Sequence, residues 1–240
     1  MSRHVSGASI RFGSVWATVG GMERFDVVIS GFDAYKGVDV NPSREVAQAL
    51  ARDGVPDPPT GASIHVTSVL LPMSFAKAWP LLLGTIDEVR PRIVIATGLK
   101  RASRSIALER CATNIMDADK PDADNAQPRR VPIEPGAPAA YWTQLPLRGI
   151  LNVFAEQGIP ATLSSDAGTY VCNSLFYRLL NWSAGRGDAL AGFVSFPTVN
   201  ESGDYRIGIP LGQMITATQD VVRSAVEYCQ KAPKDALERA

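Results

Sequence analysis

The 240-residue chain has three cysteines, Cys111, Cys172 and Cys229, and one of them stands where a thiol can react. The segment Ser165, Asp166, Ala167, Gly168, Thr169, Tyr170, Val171, Cys172, Asn173 ends an apolar run with a glycine turn, then continues through Ser174, Leu175, Phe176 and Tyr177. That pattern predicts a strand, a turn and a helix whose first turn carries Cys172. Unpaired amides and the positive end of the macrodipole both favour a thiolate at such a place. The chemistry would be nucleophilic acyl transfer, with backbone N–H groups near the helix start as oxyanion donors. The competing reading of a cysteine in a helix is an inert packing residue, and Cys111 and Cys229 are read that way.

The elements that must position this thiol follow from apolar periodicity. Runs at residues 25–30, 63–71, 92–97, 105–114, 161–164 and 192–196 read as strands. Helices are predicted between them. Pro42 and Ser43 open one, Ser74 opens another through Ala78, Leu82 and Ile86, and later ones cover residues 146–157, 171–182 and 213–231. Strand and helix in alternation predict a three-layer α/β/α fold with a twisted, mostly parallel central sheet flanked by helices. Residues 53–59 and 120–138 are rich in Pro, Asp and Gly and read as loops, the second long enough to work over a site. Sites in such sheets lie beyond the C-terminal strand ends, where Gly31, Gly98 and Gly168 each follow a strand.

Composition narrows the partners. Lys plus Arg and Asp plus Glu both total 24, so no net field draws nucleic acid or an acidic membrane. Scattered cysteines and two histidines show neither a disulfide framework nor zinc spacing, so no cofactor or metal is expected, and a cytoplasmic location fits best. The first 22 residues lack the apolar core of a signal peptide and read as an extension. Either Met22 is the true start, or residues 10–19 add a strand at a sheet edge. Residues 23–240 are expected to form one domain.

Four segments in the right order and spacing resemble the pyroglutamyl peptidase I family, cysteine peptidases that remove N-terminal 5-oxoproline from peptides. They are Gly31-Phe32 to Gly37 with Asn41-Pro42-Ser43; Gly98 through Glu109, Cys111 and Asn114; Pro121, Asn125 and Gly136 to Pro146; and the Cys172 segment. The resemblance implies that Cys172 is the nucleophile, Glu109 the carboxylate that orients an imidazole, and Phe32 and Tyr35 the aromatics that stack on the lactam. Phe32 reads equally well as a residue packed under its loop. It also implies a small peptide, lactam or acyl substrate, and it admits a homo-oligomer.

Departures from the family cluster where the reaction would occur. Ser195, in Gly192-Phe193-Val194-Ser195-Phe196-Pro197, falls at the position implied for the catalytic histidine, and the histidines present, His4 and His65, match no functional position. Leu99 stands for a glutamine that bonds the oxoproline, and Asp119 for an arginine near the reacting carbonyl. Lys100 and Arg101 replace small residues; they are new cations or, as the preferred reading, a solvated turn. Two functions follow as expectations: a pyroglutamyl-peptidase-like cysteine hydrolase with weak or altered activity, and an inactive relative that binds a ligand or partner.

Overall fold

Alternation along a strand gives it two faces, and here each face meets its own layer of helices. The computed structural model describes residues 18–19, 21–34, 38, 40–201 and 208–231. In chain order the elements are β1 (Thr18–Val19), β2 (Met22–Phe32), α1 (Pro42–Asp53), β3 (Ala62–Leu71), α2 (Ala78–Val89), β4 (Ile93–Leu99) and β5 (Ile106–Glu109). There follow β6 (Cys111–Thr113), β7 (Ala140–Trp142), α3 (Leu147–Glu156), β8 (Ala161–Ser164), α4 (Val171–Ala184), β9 (Leu190–Phe196) and α5 (Leu211–Lys231).

The main sheet runs β3-β2-β4-β9-β5-β8, with β1 antiparallel at the start of β2. Strands β3, β2, β4 and β9 are mutually parallel, as are β5 and β8, and the direction reverses once, between β9 and β5. Val27, Ile29, Ile93, Ile95, Ile106, Leu108 and Val194 share a buried cluster with residues of α1, α3 and α5. Their alternates Val28, Val94, Ala96, Ala191 and Phe193 share another with residues of α2 and α4. The fold is therefore the three-layer α/β/α arrangement, mostly parallel, that the sequence pattern predicts.

Local chemistry explains how β2 hands the chain to α1. Asn41 caps the helix by accepting from the Ser43 N–H at 3.2 Å, and Pro42 begins it with φ already set. The Asn41 amide also donates to the carbonyls of Phe32 at 2.9 Å and Asp33 at 3.1 Å, tying the helix start to the strand end. Gly31 permits the approach, because a Cβ there would lie 2.2 Å from the Ser43 carbonyl oxygen.

Three elements differ from expectation. Residues 105–114 form two strands in different sheets, not one. After Glu109 the Arg110 N–H still bonds Ser164 in β8 at 2.7 Å, but its carbonyl accepts from Thr143 at 2.9 Å, so the chain leaves the main sheet and β6 pairs with β7. Strand β7 was not expected, since three residues are too few to show alternation. Helix α2 begins at Ala78, after a turn in which the Ser74 hydroxyl accepts from the Lys77 N–H at 3.1 Å. Of the N-terminal extension, residues 18–19 pair with Met22 and Glu23 across a turn at Gly21; residues 1–17 and 20 lie outside the described residues.

Replacing Gly31 with Ala pushes a methyl group into the α1 backbone, and urea denaturation should show a loss of about 1–3 kcal/mol, the usual cost of overpacking. An unchanged midpoint would mean that α1 is not held against β2 as described.

Candidate active site

Strand register decides which side chains meet. Gly98 of β4 lies opposite Ser195 of β9, Ser195 lies opposite Ala107 of β5, and Glu109 lies opposite Phe193. Opposed residues share a face, so Gly98, Ser195, Phe193 and Glu109 all face the layer that contains α4. Cys172 is the second residue of α4, directly above this surface. A Cβ on Gly98 would lie 3.1 Å from the Cys172 Sγ and 2.9 Å from the Phe193 ring, so only glycine leaves the sulfur its space.

Glu109 is fully buried, and its Oε1 accepts two hydrogen bonds. The Ser195 hydroxyl donates at 2.7 Å and the Lys100 ammonium at 3.2 Å. Its Oε2 is enclosed and has no hydrogen-bond partner. A buried charge without partners is costly, so these two donors are what make a carboxylate tolerable here. Lys100 also donates to the Ser164 hydroxyl at 3.1 Å and to the Asp166 carbonyl at 2.5 Å. It is therefore no solvated turn, as its sequence context suggested: its side chain is only one-third exposed, at 33%.

The first turn of α4 is held from outside the helix. Asn173 accepts from the Thr113 N–H at 3.0 Å and donates to the carbonyls of Thr113 at 2.9 Å and Ile115 at 3.0 Å. The Thr169 hydroxyl donates to the Asp117 carbonyl at 2.7 Å, and the Tyr170 hydroxyl to that of Pro121 at 3.0 Å. The long loop thus lies against the helix entrance, and Phe75 meets Tyr170 edge-on with ring centroids 5.2 Å apart. No side chain caps α4 at Tyr170.

Electrostatics at the sulfur run against the expectation of an activated thiol. Burial pushes the Cys172 thiol up from its ordinary 9.0 to about 12, the negative Glu109 adds to the rise, and the backbone hydrogen bond at Cys172 and the Lys100 cation oppose it. Although the residue is only partly buried, its thiol is lodged over Gly98, and the residue packs against the cluster that contains Phe193. Desolvation and a like charge outweigh the helix terminus. At neutral pH the resting group is a thiol.

The other candidates fall in different surroundings. Phe32 is fully buried in the cluster shared with α2 and α4. Leu99 ends β4 opposite Phe196, on the other face from Gly98 by strand alternation. Asp119 stands in solvent 3.7 Å from Arg129. Tyr35 lies outside the described residues, as does His4. His65 is exposed in β3 opposite Asp26, about 20 Å along the strand direction from the level of Gly98. Of the two readings of Lys100, a new cation or a solvated turn, the structure favours the first, while Ser164 and Asp166 carry no sequence signal beyond neighbouring a turn. Among the described residues no three His, Cys, Asp or Glu side chains converge as a metal site, and no helix is long and apolar enough to cross a membrane.

A thiol at a helix start beside a buried carboxylate, on an α/β/α sheet, is a constellation suited to covalent acyl chemistry. The family described as pyroglutamyl peptidase matches residues 25–230. A pyrrolidone-carboxylate peptidase of Bacillus cytotoxicus is 35% identical over 213 residues, 88% of this chain and 96% of that protein. One of Pyrococcus furiosus is 34% identical over 205 residues, 84% of this chain and 96% of the relative. The crystal structure of pyroglutamyl peptidase I from Bacillus amyloliquefaciens superposes with a TM-score of 0.77 at 32% identity, covering 85% of this chain and 98% of its own. The pyrrolidone carboxyl peptidase of Thermococcus litoralis gives 0.78 at 33% identity, covering 86% and 96%. The chain belongs to the pyroglutamyl peptidase family.

The raised thiol has a stability consequence. An unfolded cysteine loses its proton near 9.0 while folded Cys172 keeps it to about 12, so the unfolded state gains from deprotonation and stability falls as pH rises across that window. Urea titrations over the same range should show a shallower fall for Cys172→Ala than for the parent; equal slopes would contradict a desolvated thiol.

Proposed function

We propose that the chain is a pyroglutamyl-peptidase-like cysteine hydrolase in which Cys172 accepts the acyl group, Glu109 is the inherited carboxylate, and Ser195 stands for the histidine. The observation that carries this reading is the 2.7 Å bond from Ser195 to Glu109, a hydroxyl occupying the carboxylate where proton transfer would call for an imidazole. The names of the relatives point to a 5-oxoprolyl acyl donor as the substrate class. Attack by sulfur on that carbonyl leaves two proton problems, removal from the thiol and delivery to the leaving amine. Ser195 solves neither near pH 7. Loss of the base in such triads costs on the order of a million-fold in turnover. Amide hydrolysis is therefore weak, and an activated ester or thioester, whose leaving group needs little protonation, is the better donor. Phe32, Tyr35, Leu99 and Asp119 stay proposed as substrate-side positions, and the free cysteines support a reducing, cytoplasmic setting for a single domain over residues 23–240.

The thiol pushed up to about 12 favours a second reading, a non-catalytic relative that keeps the pocket for a ligand or partner. Turnover of a chromogenic pyroglutamyl amide and an activated pyroglutamyl ester by parent, Cys172→Ala and Ser195→His proteins separates the two. The hydrolase reading expects Cys172-dependent ester turnover, little amide turnover, and a gain in amide turnover of roughly ten- to a hundredfold from the histidine. Absence of Cys172-dependent turnover of either substrate selects the binding reading. Brisk amide hydrolysis by the parent, lost in Cys172→Ala, would refute the proton-transfer argument.

A further inference from the structure

We propose that Lys100 is a positioning residue of this site: its ammonium is the counter-charge of Glu109 and governs the reactivity of the Cys172 thiol. The inference rests on reading Cys172 as the nucleophile, and it assigns to Lys100 the electrostatic part of what an imidazolium would do, without its proton shuttle.

The geometry is that of a built site. An ammonium has three donors, and Lys100 spends them on three acceptors from different elements: Glu109 of β5 at 3.2 Å, the Ser164 hydroxyl of β8 at 3.1 Å, and the Asp166 carbonyl of the turn leading to α4 at 2.5 Å. Its own N–H bonds the Phe196 carbonyl at 2.7 Å, which fixes the residue at the joined ends of β4 and β9. The cation therefore clamps the buried carboxylate and the approach to Cys172's helix together. Such a clamp is not needed to solubilise a turn, since a surface lysine would keep its ammonium in water.

The charges that act on the sulfur are named by its surroundings. Glu109 disfavours the thiolate and Lys100 favours it, from the sheet side. From the turn before α4, the Asp166 carboxylate is engaged by the Gly168 N–H at 2.8 Å, and the Arg110 guanidinium by the Ser165 hydroxyl at 2.7 Å. The Cys172 environment is thus set by one anion and one cation bonded to each other, so removing the cation leaves a buried carboxylate uncompensated.

The test is the rate of Cys172 alkylation by iodoacetamide from neutral to mildly alkaline pH, below the range in which a lysine ammonium ordinarily loses its proton, read by peptide mass spectrometry, with Cys111 and Cys229 as internal references. Lys100→Met should slow alkylation at a given pH in this range by about tenfold or more, the effect of one unit in the thiol's midpoint. Lys100→Arg should retain the parent profile, Glu109→Gln should speed the reaction, and the Lys100→Met/Glu109→Gln pair should return towards the parent. Thermal melts confirm that each variant folds. A Lys100→Met profile that coincides with the parent, or one that Lys100→Arg fails to avoid, overturns the proposal. Alkylation needs no turnover, so failure of the hydrolase reading in the ester assay and failure of this inference are separately visible.

Discussion

A carboxylate in a dry interior has to find its donors inside the protein, and the bond from the Ser195 hydroxyl to Glu109 is the constraint around which this site is arranged. It spans the boundary between β9 and β5, where direction reverses within the run β3-β2-β4-β9-β5-β8. Removing Glu109 would leave the buried Ser195 hydroxyl without this acceptor, and removing Ser195 would leave the carboxylate with the Lys100 ammonium as its remaining donor; either loss costs more than the bond is worth. The second donor, Lys100, comes from beyond the end of β4, so the strand ends and one carboxyl oxygen form a single polar knot under α4. The other oxygen of Glu109 remains without a partner, and a hydroxyl is too short to serve both.

That knot explains why the sulfur is quiet. A helix start favours a thiolate, but by a modest margin that falls off within one turn. Enclosure over Gly98 and against the cluster that contains Phe193, together with an anion across the gap, acts in the other direction and prevails. The corner combines a thiol at a helix start with the electrostatics that keep it protonated. Pinning of the first turn by Asn173, Thr169 and Tyr170 keeps that corner in place without contributing charge to it.

Much of this was legible in the residues. The central strands are apolar enough to declare themselves, and β8 and α4 emerge from a glycine turn followed by a helical period. The Asn41-Pro42-Ser43 cap likewise announced α1. What escaped depended on partners distant in sequence. The break after Glu109 follows from Arg110 bonding Thr143, a contact invisible in a run that alternates well through both strands. Lys100 beside Arg101 looks like any charged turn; its inward course depends on acceptors more than 60 positions away, at Ser164 and Asp166. The desolvation of Cys172 was hidden for the same reason, because Gly98 and the cluster that contains Phe193 reach it only through the register of β4 and β9.

The proposed function requires an acyl-accepting sulfur at Cys172 beside a carboxylate occupied by a hydroxyl and an ammonium. Intact-mass analysis after mixing the protein with a pyroglutamyl thioester, followed by peptide mapping, tests it directly. A covalent acyl adduct located on Cys172 is expected. An adduct on Ser195, or none at all while the thioester is consumed at the rate of the buffer blank, would contradict it.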